Sequence, residues 1–271
     1  LYADEQNASN GSIKRIVPAT LTNQPPATLA LAGAFSDLAT LTPQPGVVPY
    51  DINLPFWSDH AIKTRWFAVP NTNLDLTFAR EGNWSFPTGT LWIKHFEMEL
   101  TNGVPDSRKR LETRFLVKTA DGGYGFTYRW TDPPTNALLV ADEGVDDTLI
   151  INDGGNLRPQ MWHYPSRTEC LQCHTLNAGF ALGFNTPQLN RDFDYAGTVT
   201  NQIAALEAAG YFSAAVTNRH TLPALVTPTN ELASLEARAR SYLSANCAQC
   251  HQPGGTSQAL WDARLTTTTA N

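Results

Sequence analysis

The chain contains four cysteines, and they come as two pairs of the same form. Cys170-Leu171-Gln172-Cys173-His174 and Cys247-Ala248-Gln249-Cys250-His251 are both C-x-x-C-H, the attachment signature of c-type haem. Two thiols one helical turn apart reach the two vinyl groups on one edge of a haem and form thioethers. The histidine beside the second thiol turns to the iron as proximal ligand. The expectation is therefore two covalent haems c, on Cys170 and Cys173 and on Cys247 and Cys250. His174 and His251 are the expected proximal iron ligands.

Two other chemistries use such pairs. One zinc held by four cysteines needs pairs separated by about 15–20 residues, whereas 73 residues lie between these. It also leaves both following histidines without a role. A thioredoxin-like pair needs a βαβ setting, and no such pattern surrounds either motif.

The sixth iron ligand is less evident. The two methionines, Met98 and Met161, both precede the motifs, so a methionine downstream of either motif is not available. Four histidines remain: His60, His95, His163 and His220. His95 and His163 are the first choices, in a strand and seven residues before Cys170, followed by His220 and His60. An open sixth position on one haem would instead make the chain a peroxidase-type enzyme.

The elements that must position these residues fall into two patterns, an α+β reading. Residues 1–50 are rich in proline and read as an arm with one short helix near Leu29–Leu38. Residues 51–165 read as a mostly antiparallel β domain, sandwich-like. Trp92, Phe96, Met98 and Leu100 share one pleat face, with Lys94 the exception. Phe115 and Val117 alternate with Glu112 and Arg114. After the turn signal Asp121-Gly122-Gly123, Phe126, Tyr128 and Trp130 alternate with Thr127 and Arg129, a hairpin with one buried face. Residues 166–271 read as a mostly helical, loop-rich dihaem region. One helix lies within Thr200–Phe212, closing at Gly210. A second runs over Asn230–Ala245 with a stripe of Leu232, Leu235, Ala239 and Tyr242, and leads into Cys247.

Composition sets the outer limits. A chain of 271 residues with 42% hydrophobic residues can bury a core unaided. No apolar run reaches the roughly 20 residues of a membrane span. A net charge of −6 argues against nucleic acid. With 31 Thr and 5 Lys the surface reads as that of an exported protein. The start at Leu1 reads as a mature chain whose targeting segment has been removed.

Several segments go beyond the haem motifs. They include Pro49-Tyr50-Asp51-Ile52-Asn53-Leu54-Pro55-Phe56-Trp57-Ser58-Asp59, Trp84-Ser85-Phe86-Pro87-Thr88-Gly89-Thr90 and Lys94-His95-Phe96. Others are Leu111-Glu112-Thr113-Arg114, Tyr164-Pro165-Ser166-Arg167-Thr168-Glu169-Cys170, Gln188-Leu189-Asn190 and Arg238-Ala239-Arg240-Ser241-Tyr242-Leu243. Over about residues 29 to 264 the chain resembles a family of bacterial dihaem c-type cytochromes of largely unassigned role. Those proteins join an N-terminal β region to a C-terminal dihaem region. The resemblance implies electron transfer outside the cytoplasm, in the periplasm or the extracellular space. Partners would be redox proteins or identical subunits, including subunit-to-subunit transfer along a filament. The alternative is a dihaem peroxidase or the haem subunit of a dehydrogenase.

Overall fold

A computed structural model describes residues 24–70, 76–259 and 261–267, together with the backbone of a short hairpin, β1 (Tyr2–Asp4) with β2 (Ser12–Lys14). Much of the proline-rich arm before residue 24 lies outside the described residues. Helix α1 (Leu29–Ala32) is capped by Thr28 and stopped by Gly33, whose φ of 68° suits a residue without Cβ. The helix expected over Leu29–Leu38 is therefore one turn. Its second half is strand β3 (Phe35–Asp37), paired with β4 (Thr42–Pro43).

The centre of the molecule is one antiparallel sheet. Its strands are β5 (Val48–Tyr50), β6 (Ile62–Ala68), β7 (Leu91–Glu99), β8 (Arg108–Lys118), β9 (Gly123–Trp130) and β10 (Ala137–Leu139). Their spatial order is the chain order, a meander in which neighbours in sequence are neighbours in space. A separate hairpin follows, β11 (Val145–Asp153) with β12 (Asn156–Tyr164).

Beyond residue 165 the helices are brief: α2 (Arg167–Cys173), α3 (Thr186–Leu189), α4 (Gln202–Ala208) and α5 (Leu235–Asn246). Between α3 and α4 lies a further hairpin, β13 (Asp192–Tyr195) with β14 (Thr198–Asn201). The expectation of a mostly helical C-terminal region is thus overturned, and the α+β division with it. The molecule is mostly β, with five short helices among the described residues, and the N-terminal strands form a six-stranded sheet with small satellites rather than a sandwich. The physical reason is punctuation. Pro223, Pro228 and Pro253, with Gly179, Gly183, Gly197 and Gly210, break the segment before helices can lengthen, while Pro187 sits in the first turn of the short α3.

Both faces of the sheet are covered. On one, Trp66, Ile93, Phe115, Tyr128 and Trp130 pack under Leu29, Phe35 and Leu41 of the N-terminal segment. On the other, Tyr50, Phe67, Trp92 and Leu116 pack against Phe184, Leu189, Ile203 and Leu206 from beyond residue 165. Phe96, Met98 and Leu111 meet Leu149, Ile151, Trp162 and Tyr164 of the β11–β12 hairpin. The stripe expected on the last helix is not core. Leu232 precedes α5, Leu235 and Tyr242 are exposed, and the buried residue of α5 is Ser241, which accepts from the Val226 N–H at 3.1 Å.

Candidate functional site

The first motif owes its geometry to α2. Ser166 is the N-cap: its hydroxyl accepts from the Glu169 N–H at 3.2 Å while its own N–H donates to Glu169 Oε2 at 2.8 Å. This reciprocal pair is a capping box, and Ser166-x-x-Glu169 carries its sequence signature. The helix so anchored holds Cys170 and Cys173 one turn apart and ends at His174, whose N–H bonds the Cys170 carbonyl.

Helix α2 lies on β9 at Gly125. A Cβ there would stand 2.6 Å from Cys170 Cβ and 2.8 Å from its Sγ. Only glycine permits this approach. Gly125→Val is expected to force helix and sheet apart at a cost of about 1–3 kcal/mol, measurable as a lowered urea midpoint with an unchanged m-value.

The second motif begins where α5 ends. Cys247 is its C-cap, and the His251 N–H bonds the Cys247 carbonyl at 2.9 Å. The chain then folds back so tightly that a Cβ on Gly255 would stand 2.3 Å from the Cys250 carbonyl oxygen. The two motifs, far apart in sequence, come together: Ala248 and Gln249 of the second line the same cavity as Cys170, Cys173 and His174 of the first, and Cys250 is near enough to act on the Cys173 thiol. Burial, and then this neighbour, push the Cys173 thiol above its ordinary pKa; burial does the same to Cys170.

The two histidines are set differently. His174 Nδ1 lies against the Phe180 carbonyl. A carbonyl only accepts, so Nδ1 carries the proton and Nε2 keeps its lone pair. Burial, then the nearby charges of Lys94 and Arg114, pull the His174 pKa down to about 4. It is a neutral imidazole with an oriented ligand atom, as a metal-binding histidine requires. His251 packs on Trp261, ring centroids 4.4 Å apart, and its buried Nδ1 has no hydrogen-bond partner among the described residues.

A cavity of about 720 Å³ lies between the sheet and the C-terminal region, within the roughly 300–1,000 Å³ of cofactor pockets. Cys170, Cys173 and His174 line it, as do Ala248 and Gln249 of the second motif. Ile52, Trp92, Phe96 and Leu116 make its apolar walls, while Lys63, Arg65, Lys94 and Arg114 project from strands β6, β7 and β8. Arg114 holds the fully buried Glu112 in a bidentate pair at 2.6 and 2.8 Å. Burial works against the Arg114 charge, but Glu112 outweighs it and the pKa rises. Burial lowers Lys63 to about 7, and burial, then the nearby charges of Arg65 and Arg114, hold Lys94 well below its ordinary value. An apolar slot with a cationic rim, one edge carrying two thiols and an aimed imidazole, has the chemistry of a haem with its two carboxylates.

None of the four spare histidines lines this cavity. His95 is on the opposite sheet face, where Nδ1 meets Thr113 Oγ1 at 2.8 Å and the ring meets Trp130 edge-on. His163 is half exposed and bound at both nitrogens, to Asp146 at 2.6 Å and to Glu169 at 3.0 Å. His220 sits in an exposed turn beside Asn190 and Asn201. His60 packs on Trp57, whose N–H donates to Asn246 Oδ1 at 2.7 Å, so its loop is tied to the residue before Cys247. Among the described residues no group of three His, Cys, Asp or Glu side chains is placed to hold a metal ion. The alternation is visible in the sequence: it sets Lys94 as the exception on an apolar face and puts Arg114 with Glu112 on the face opposite Phe115, but it carries no sign of the cavity that Lys94 and Arg114 line. Gly125 carries no local signal.

His163 instead ties the β11–β12 hairpin to α2, and this predicts an acid response. Hydrogen bonds from His163 and then from Ser166 hold the Glu169 pKa down to about 2; hydrogen bonds to Glu169 and Asp146 raise that of His163. The carboxylate contribution is present above pH 4.5 and is lost as pH falls toward 2. The imidazolium contribution is present below about 6.5 and fades as pH rises through the raised value. Both groups are solvated, so the ion pair itself is worth about 0–1 kcal/mol. The Ser166 cap adds about 1 kcal/mol, so Ser166→Ala should lower thermal stability, with the wild-type advantage shrinking below pH 4.5.

No family model, curated protein or solved structure matches the chain. No helix among the described residues is long and apolar enough to cross a membrane.

Proposed function

We propose that this chain is an exported dihaem c-type cytochrome that carries electrons between redox partners. The observation that carries the reading is the meeting of the two C-x-x-C-H motifs at one cavity, with Cys173 and Cys250 side by side. Cys170 and Cys173, and likewise Cys247 and Cys250, would hold a haem each by thioethers, formed by adding S–H across its two vinyl groups with no net oxidation. Groups joined to Cys173 and Cys250 start from neighbouring thiols, which suits a short relay. The iron supplies the one-electron chemistry, Fe(III)/Fe(II), when haem is bound.

The chain's own residues bind, orient and shield. His174, fixed by Phe180, presents Nε2, and His251 on Trp261 serves the second motif. The sheet excludes water from one side of the first site, and the cationic rim faces carboxylates. His60 would be the nearest histidine outside the motifs to serve the second haem, because the Trp57 N–H of its loop donates to Asn246. A peroxidase reading stays in view because no spare histidine lines the first cavity.

The test is a mass and coordination measurement on protein matured in an exporting host. Two haems retained under denaturing conditions, both low-spin and unreactive with peroxide, support the carrier. A chain with free thiols or bound zinc defeats it. One high-spin haem that consumes peroxide selects the enzyme.

A further inference from the structure

We propose that Lys94 supplies the sixth iron ligand of the haem held by the first motif, giving that haem a histidine/lysine axial pair. The inference rests on the dihaem reading above and adds an iron ligand that sequence alone did not suggest. Lys94 is the residue that breaks the apolar face of β7. Its neighbours on that face, Trp92 and Phe96, line the same cavity. An amine is seldom placed on an inward face without a counter-ion.

The other cations of the rim are engaged. Arg114 is held by Glu112, Arg65 reaches Asp51 at 3.4 Å, and Lys63 donates to the Phe56 carbonyl. Lys94 makes no hydrogen bond or ion pair among the described residues. Its nearest aromatic contact is the Phe96 ring, with Nζ 5.9 Å from the centroid. It therefore has a flexible four-carbon reach and an uncommitted nitrogen.

The first cavity also needs a donor. His95 points to the other face, His163 has both nitrogens engaged by carboxylates, and no methionine lines the pocket. Lys94 and His174 both line it. A deprotonated amine is a nitrogen σ-donor and can complete an octahedral iron opposite an imidazole.

The holo-protein itself gives the first readout. The near-infrared charge-transfer band and electron paramagnetic spectrum of the ferric protein separate amine/imidazole from bis-imidazole and thioether/imidazole pairs. An amine/imidazole signature is expected on one of the two haems. Lys94→Arg keeps a long side chain but replaces the donor amine with a guanidinium that stays protonated and cannot ligate, so half of the haem should turn high-spin. Lys94→His should restore a low-spin state with bis-imidazole character, and Lys109→Ala, at a lysine paired with Asp132 outside the cavity, should leave both haems unchanged. Two bis-imidazole signals in the wild type, or a Lys94→Arg spectrum identical to wild type, would overturn the assignment. Loss of covalent haem altogether is a separate result, read by mass, that removes the dihaem reading instead.

Discussion

Replacing Cys170 and Cys173 together by alanine is expected to reduce the covalently bound haem from two per chain to one and to leave the first cavity without its occupant. The remaining haem, on Cys247 and Cys250, should be retained, because the second motif is built from the end of α5 and not from α2. The cost should extend beyond colour. A cavity of about 720 Å³ walled by Trp92, Phe96 and Leu116 cannot be filled by the collapse of its rigid sheet side. The walls then lose their packing partners, and large-to-small cavity changes of far smaller volume already cost about 2–5 kcal/mol. Intact mass and haem-stained denaturing gels measure the first effect, and thermal unfolding the second. A double variant that keeps two haems, or that is as stable as wild type, contradicts the placement of haem in this cavity.

Phe184→Ala is expected to give the largest loss of stability of any single change outside the motifs. Phe184 is 1% exposed and its ring meets five others: Tyr50 at 4.9 Å, Phe67 at 4.8 Å, Trp84 at 5.6 Å, Phe86 at 5.7 Å and Trp92 at 6.1 Å. Those partners lie in or beside the sheet, whereas Phe184 comes from the segment after the first motif. A buried Phe→Ala change costs about 3–5 kcal/mol, against a total stability of about 5–15 kcal/mol for a domain. Because the ring bridges the sheet and the motif-bearing region, tryptophan fluorescence and haem absorbance should report one shared, lowered urea midpoint. A shift confined to the haem signal, or a loss under about 1 kcal/mol, would show that the two regions do not share this core.

The strands were legible because they alternate. Trp92, Phe96 and Met98 on one side and Phe126, Tyr128 and Trp130 of β9 have the period of two that half-buried strands show, and both segments are strands of the sheet. The same alternation misled where polar residues were concerned. Glu112 and Arg114 have the pattern of a wet face, yet Glu112 is fully buried and Arg114 lines the cavity together with Lys94, the exception on the apolar face of β7. Period two says which residues share a face. It does not say whether water or a second layer lies against that face.

The helices failed for a related reason. Leu232, Leu235, Ala239 and Tyr242 have helical spacing, but the flanking chain never covers them, and the helix begins only after Ser234. In the stretch expected to be helical after Pro165, prolines and positive-φ glycines recur through the chain, and the β13–β14 hairpin lies between α3 and α4.

The sequence by itself determined the reactive groups: two C-x-x-C-H motifs, whose i, i+3 thiols and following imidazole are a local property of one helical turn. It also determined the capping box of α2, since Ser166 and Glu169 act within three residues. Which groups would meet was decided by tertiary structure alone. The approach of Cys250 to Cys173, the seating of α2 on Gly125 and the turning of His95 away from the cavity all depend on chain segments tens of residues apart. Local spacing fixes geometry only over the turn or two that hydrogen bonds span. Beyond that distance the buried aromatic layer between the sheet and the C-terminal region sets which faces and which thiols come together.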